Sequence, residues 1–148
     1  MRVEAETTLP VRPTRAWAVL TDWERQSEWM RDAASVRVLT SAREGVGVRV
    51  AVKTRIFGVP LFTEVLDVTV WEPPERLVVR HTGVVGGTGE WRFEPEGSGT
   101  RYRWIEDLSL KIPLIGGFAL LAYRPFMRWL MRHGVEDLRR SLASPGGT

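Results

Sequence analysis

From residue 34 to residue 110 the chain is divided into six strand-like runs by short breaks. Turn signals fall at Glu44-Gly45, Gly58-Val59-Pro60, Pro73-Pro74, Gly83 to Gly87, and Glu96-Gly97-Ser98-Gly99. Links this short join antiparallel neighbours, because a parallel return needs a crossover of a dozen or more residues. Alternation within the runs marks a dry face. Val48, Val50 and Val52 alternate with Arg49, Ala51 and Lys53, and Trp91 and Phe93 alternate with Glu90, Arg92 and Glu94. A sheet with one apolar face must bury it against another layer.

The flanking segments supply that layer. Residues 2–9 alternate Val3, Ala5, Thr7, Leu9 with Arg2, Glu4, Glu6, Thr8, which adds a seventh strand. Pro13 suits a first helical position, Ala16, Trp17 and Leu20 follow at helical spacing, and Thr21-Asp22-Trp23-Glu24 reads as a capping box for a second short helix. Residues 113–142 are expected to be helical. Met127, Leu130, Met131, Gly134, Leu138 and Leu142 fall on one stripe, with Arg128, Arg132, Glu136, Arg139 and Arg140 opposite. Pro125 lacks an N–H and crowds the preceding turn, so a kink or restart is expected there. The reading is an α+β fold: a curved seven-stranded antiparallel sheet, two short helices, and a long C-terminal helix that encloses a pocket. With 148 residues the chain fits one domain over 1–142, and 143–148 read as a disordered tail.

Charge and composition exclude several classes. The 21 Lys+Arg exceed the 18 Asp+Glu by only three, and only the C-terminal helix, with Arg124, Arg128, Arg132, Arg139 and Arg140, approaches the basic face that nucleic-acid binding needs, so no nucleic-acid partner is expected. Without cysteine there is no disulfide, thiolate metal site or Cys nucleophile. The amino terminus lacks a signal-peptide core, so the expected address is cytoplasmic. The span Ile112–Met131 contains Arg124, Pro125 and Arg128 and reads as a buried or interfacial helix.

Several local stretches carry a family likeness. They are Ala16-Trp17-Ala18-Val19-Leu20-Thr21-Asp22-Trp23 with Trp29 six residues on, Gly45-Val46-Gly47, Trp71-Glu72-Pro73-Pro74-Glu75-Arg76-Leu77, and Gly97-Ser98-Gly99-Thr100 before the last strand. In this order they resemble the polyketide cyclase/dehydrase and lipid-transport family of the START (SRPBCC) superfamily. The resemblance implies a helix-grip fold, with a cavity between sheet and C-terminal helix that holds lipids, hormones, sterols or aromatic polyketides. It fixes the fold rather than the chemistry.

The side chains that break the apolar register are the informative ones. Glu106 shares a parity with Tyr102, Trp104, Leu108 and Leu110; Glu64 with Phe62, Leu66, Val68 and Val70; His81 with Leu77 and Val79. Three ionisable groups thus point inward, where an unpaired charge is heavily penalised. One reading joins Glu64, His81 and Glu106 with Thr54 and Tyr102 in a polar cluster that orients a ligand or, in a cyclase, moves protons. The other places Glu64 and His81 near wet strand ends and bonds Glu106 to a neighbouring strand. Phe62, Trp91, Phe93 and Trp104 offer stacking surface or plain core, and Tyr123, Met127 and Met131 come from the underside of the final helix. Trp17, Trp23 and Trp29 read as packing anchors, and Trp71 as surface.

His81 and His133 lie on different elements, so no His-rich metal site is expected, and Ser109 and Ser141 have no nucleophile motif around them. Gly83, Gly86, Gly87 and Gly89 read as a flexible hairpin rather than a phosphate loop. The functional expectation is a carrier or binder of a hydrophobic small molecule, as monomer or homodimer and without a cofactor. The competing readings are an aromatase/cyclase acting on a polyketide, and a module that touches a membrane surface or a protein through Phe118 to Tyr123.

Overall fold

A computed structural model describes residues 1–113 and 115–143. The order is β1 (Arg2–Leu9), α1 (Pro13–Leu20), a 3₁₀ helix (Trp23–Glu28), β2 (Ala33–Val38), β3 (Arg49–Ile56), β4 (Val59–Glu72), β5 (Arg76–Thr82), β6 (Val85–Glu96), β7 (Gly99–Leu110) and α2 (Gly116–Ala143). The strands form one antiparallel sheet in the order β1-β7-β6-β5-β4-β3-β2. It curves into a half-barrel with α2 lying along it, the helix-grip arrangement expected from the sequence. The expected tail begins with Ala143, which closes α2; positions 144–148 lie outside the described residues.

The concave face and the helices share a core. Leu9, Leu20, Trp23, Leu77, Tyr102, Met131 and Leu138 are all but inaccessible there. Six of the seven tryptophans touch in sequence through it. Trp17 meets Trp71 at 5.1 Å between ring centroids, Trp71 meets Trp23 at 6.4 Å, Trp23 meets Trp91 at 6.4 Å, Trp91 meets Trp29 at 6.1 Å, and Trp29 meets Trp104 at 5.9 Å. The convex face carries cross-strand charge. Asp67 accepts from Arg49 at 2.8 Å on one side and from Arg80 at 3.4 Å on the other, and Arg49 in particular holds its carboxyl below the usual range. Such exposed pairs contribute little stability and serve mainly register and solubility.

Four expectations need correction. The second short segment is a 3₁₀ helix without a capping box: Thr21 donates back to the Trp17 carbonyl at 2.7 Å, and Glu24 pairs with Arg43 instead. In β4 the register against β5 shifts between Val68 and Val70, so Val68 faces Val79 but Trp71 faces Leu77. This bulge moves Val70 off the inward parity and turns Trp71 into the core, against Trp17 and Trp23. The hairpin expected at the glycines is present between β5 and β6, but its turn is shorter than they suggested: Gly86, Gly87 and Gly89 lie within β6, with Gly83 alone of the four in the turn. Finally, of the kink or restart expected at Pro125, the restart does not occur, and α2 runs through the proline. Pro125 and Leu121 both lie on the exposed side, where water can satisfy the carbonyl that the proline leaves unbonded.

Candidate ligand chamber and its buried polar network

The inward parity of β7 brings Tyr102, Trp104, Glu106 and Leu108 to the concave face, all buried. Directly opposite Glu106 on β6 is Gly89, which in turn faces Val79 on β5. A methyl group on Gly89 would stand 2.8 Å from Glu106 Oε1 and 3.1 Å from Oε2. The absent side chain is therefore what lets the Glu106 carboxylate lie flat over the sheet toward His81.

There it closes a network. His81 Nε2 donates to Glu106 Oε2 at 3.1 Å, and Trp104 Nε1 donates to Glu106 Oε1 at 2.8 Å. On the other side of the ring, His81 Nδ1 stands 3.6 Å from Glu64 Oε1, while Thr54 Oγ1 donates to Glu64 Oε2 at 3.1 Å. The His81 Nδ1 atom is buried and makes no hydrogen bond of normal length. Burial alone would push the imidazole toward neutrality, but Glu106 and Glu64 outweigh it and raise its pKa to about 10. His81 is thus an imidazolium held between two carboxylates.

Asp32, in the link before β2, was missed by the sequence reading. Its main chain is pinned by Arg55, whose N–H donates to the Asp32 carbonyl at 2.7 Å. The residue as a whole is partly covered, yet its carboxyl lies within the cavity walls, and burial pushes its pKa up to about 6. A main-chain hydrogen bond to the carboxyl and the charge of His81 oppose that rise, while the charges of Glu106 and Glu64 add to it.

These groups divide a hollow in two. The outer chamber, about 300 Å³, opens between the strand ends and α2, and its walls are otherwise apolar, including Ile56, Phe62, Val85, Leu108, Leu110 and Met127. The inner recess, about 70 Å³, reaches Leu77, Val79, Trp23 and Trp91. Asp32, Thr54, Glu64, His81, Trp104 and Glu106 border both. Of the residues singled out from sequence, Thr54, Phe62, Glu64, His81, Trp104, Glu106, Tyr123 and Met127 line the outer chamber, and Trp91 lines the inner recess. Phe93, Tyr102 and Met131 stand in the packed core and border neither space. The Tyr102 hydroxyl is buried without a hydrogen-bond partner, and burial, aided by the Glu106 charge, raises its pKa. Among the described residues no three side chains gather in a way that could hold a metal ion, and no helix is long and apolar enough to cross a membrane.

A curved sheet gripped by a long helix over an apolar chamber defines the helix-grip class of fold. Residues 1–143 match the family described as polyketide cyclase / dehydrase and lipid transport, and the chain belongs to it. Among solved structures it is similar to TTHA0849 from Thermus thermophilus, with 25% identity, a TM-score of 0.76, and 95% of each chain covered. A START superfamily protein from Mycobacterium smegmatis aligns over 94% of this chain and 92% of its own, at 13% identity and a TM-score of 0.69. The di-domain ARO/CYC StfQ from the steffimycin biosynthetic pathway aligns over 94% of this chain and 50% of its own, at 14% identity and a TM-score of 0.74. At such identities the last two speak for the fold alone. No curated protein matches the sequence significantly.

Proposed function

We propose that this chain binds and carries a small, mostly apolar molecule whose polar end donates hydrogen bonds, with the apolar body in the outer chamber and the donor on Asp32. The observation that carries this is the unequal use of acceptors at the chamber floor. Both Glu106 oxygens accept from protein donors, and one Glu64 oxygen accepts from Thr54 while the other faces His81. Among the described residues no side chain donates to Asp32, whose carboxyl takes only a main-chain hydrogen bond and so keeps acceptor capacity for a guest. A ligand carboxylate would meet three acidic side chains around one imidazolium, whereas a hydroxyl or ammonium would meet the remaining acceptor capacity of Asp32 in a poorly solvated site, where its pairing counts most. The volume of about 300 Å³ is at the small end for ligand pockets.

Native mass spectrometry of freshly purified protein tests this first, because a retained ligand reports its own chemistry. Thermal unfolding with matched decyl compounds then tests the polar end: the amine and the alcohol should raise the melting temperature, and decanoate should not. Equal stabilisation by decanoate would remove the donor from the proposal, and no stabilisation by any of the three, with no retained ligand, would remove the carrier.

A second reading, an aromatase/cyclase-type enzyme, is favoured by one feature. Asp32 has a pKa of about 6 beside the chamber, the range in which a general base works near neutrality. Turnover of a polyketide mimic that is lost in Asp32→Asn would establish it, and absence of turnover under ligand-saturating conditions would discard it.

A further inference from the structure

The large apolar side chains that this molecule leaves in solvent are concentrated at one end. Phe57 and Leu61 at the β3–β4 tip, Val84 at the β5–β6 tip, Ile115 in the β7–α2 link, and Phe118 and Leu121 at the start of α2 are each at least 60% exposed. All but Ile115 stand next in sequence to a residue that lines the chamber, among them Ile56, Phe62, Val85, Ala119 and Leu120. A further concavity of about 310 Å³, lined by Val84 and Thr63, shares Phe62, Glu64, Val85 and Leu110 with the chamber and leads outward between the tips. These parts are joined: the Lys111 N–H donates to the Val84 carbonyl at 2.9 Å, and the Phe57 ring lies 4.4 Å from Phe126 on α2. A monomer seldom leaves an apolar collar of this kind uncovered without a use for it.

Two further observations say what covers it. Phe57 has a left-handed backbone with φ of 49°, and Gly58 follows at 81°. Two-residue hairpin turns with positive φ at both positions favour Asn-Gly, and a bulky aromatic there is an outlier. The chain thus holds a phenylalanine at the tip against its backbone preference, although the ring is 72% exposed. Charge is the second. Residues 55–63 and 111–128 contain Arg55, Lys111, Arg124 and Arg128 but no aspartate or glutamate. Arg124 donates to the Arg2 carbonyl, and none of the four pairs with a carboxylate among the described residues. On the convex face, by contrast, Arg49, Arg76, Arg80, Arg92, Arg101 and Arg103 are all paired.

We infer that this collar docks on an anionic lipid bilayer, with the chamber mouth facing the membrane. Apolar tips enter the headgroup boundary, and the unpaired cations meet lipid phosphates. A second copy docking through the same collar would set the four cations against themselves, since a two-fold interface repeats each residue on both sides. The inference does not depend on what the chamber holds, and its test uses no chamber ligand.

The full chain is sedimented with vesicles of phosphatidylcholine alone and of phosphatidylcholine with about one-third phosphatidylglycerol, at low and high salt. Binding is expected to the anionic vesicles at low salt, with loss at high salt. Phe57→Asn with Phe118→Ser should weaken it at least tenfold. The asparagine suits the turn, so cooperative unfolding should persist and serves as the folding control. Independently, Lys111→Glu with Arg128→Glu should weaken it by about 25-fold or more, since each cation near an anionic surface is worth about fivefold. Failure to bind anionic vesicles at low salt would overturn the inference, as would equal binding by both folded double variants. A wild-type dimer that the same variants convert to monomer would overturn it too, by assigning the collar to a second copy.

Discussion

Gly89 and Glu106 face each other across the β6–β7 ladder, and the space of the missing methyl is where the glutamate carboxylate lies. Gly89→Ala should therefore displace that carboxylate from Trp104, from His81, or from both. The strand backbone would gain about 0.5–1 kcal/mol from the substitution, whereas a charged hydrogen bond is worth about 1.5–3 kcal/mol. The lost bond wins, and a net loss of about 1–2 kcal/mol is expected in chemical denaturation. The effect should vanish in a Glu106→Ala background; an equal loss in both backgrounds would place the strain elsewhere.

The imidazole of His81 gains protons on folding, since its pKa rises from 6.5 to about 10. The stabilisation it confers is complete below pH 6.5 and is lost as pH climbs through 10. Unfolding free energy should fall over that window in the wild type and should lose that component of its slope in His81→Gln. A nitrogen-15 NMR titration should find both ring nitrogens protonated at pH 8, and a neutral ring there would refute the assignment. Because removal of the ring strands Glu64 and Glu106, His81→Ala should also cost about 3 kcal/mol at neutral pH.

Asp32 behaves in the opposite sense. Its carboxyl rises from 3.8 to about 6, so ionising it in the folded state is unfavourable, and stability declines as pH rises through that interval. Asp32→Asn should stabilise the protein by about 1–3 kcal/mol at pH 7.5 and have little effect at pH 3.5. The same variant should lose the stabilisation by decylamine. A gain in stability with ligand response intact would separate Asp32 from binding.

The β4 bulge makes a direct prediction for Trp71. Uninterrupted alternation would put this ring outside, where its removal is nearly neutral; in the observed register it packs edge-on at 5.1 Å from Trp17. Trp71→Ala is expected to cost about 3 kcal/mol in urea unfolding. A change within about 0.5 kcal/mol would mean that the ring is not part of the core.

Much of this architecture was legible in the chain. Strand alternation and turn residues located the sheet and its order of connection, and parity alone turned Glu64, His81 and Glu106 to the same face. The bulge at Thr69 was hidden because Val68, Val70 and Trp71 are all apolar, so the period-two pattern cannot show which of them changes side. Asp32 escaped because it lies in a link, where no periodicity gives a side chain's direction. Gly89 was misread for a related reason: four glycines in seven positions look like a turn, and the use of one as a recess appears only when the residue across the ladder is known.

For a chamber that holds a guest as proposed, the ionic layer would set how far that guest can sink. Between the outer chamber and the tryptophan-lined recess, His81 and Glu106 are clasped at 3.1 Å, so an apolar chain that enters from the mouth meets a charged floor before it reaches the aromatic interior. Reaching deeper means parting an ion pair in a region of low polarity, a toll that lengthening a hydrocarbon by one methylene does not recover. Under the proposed carrier role this layer would act as a depth gauge, grading guests by length as well as by the chemistry of their leading end.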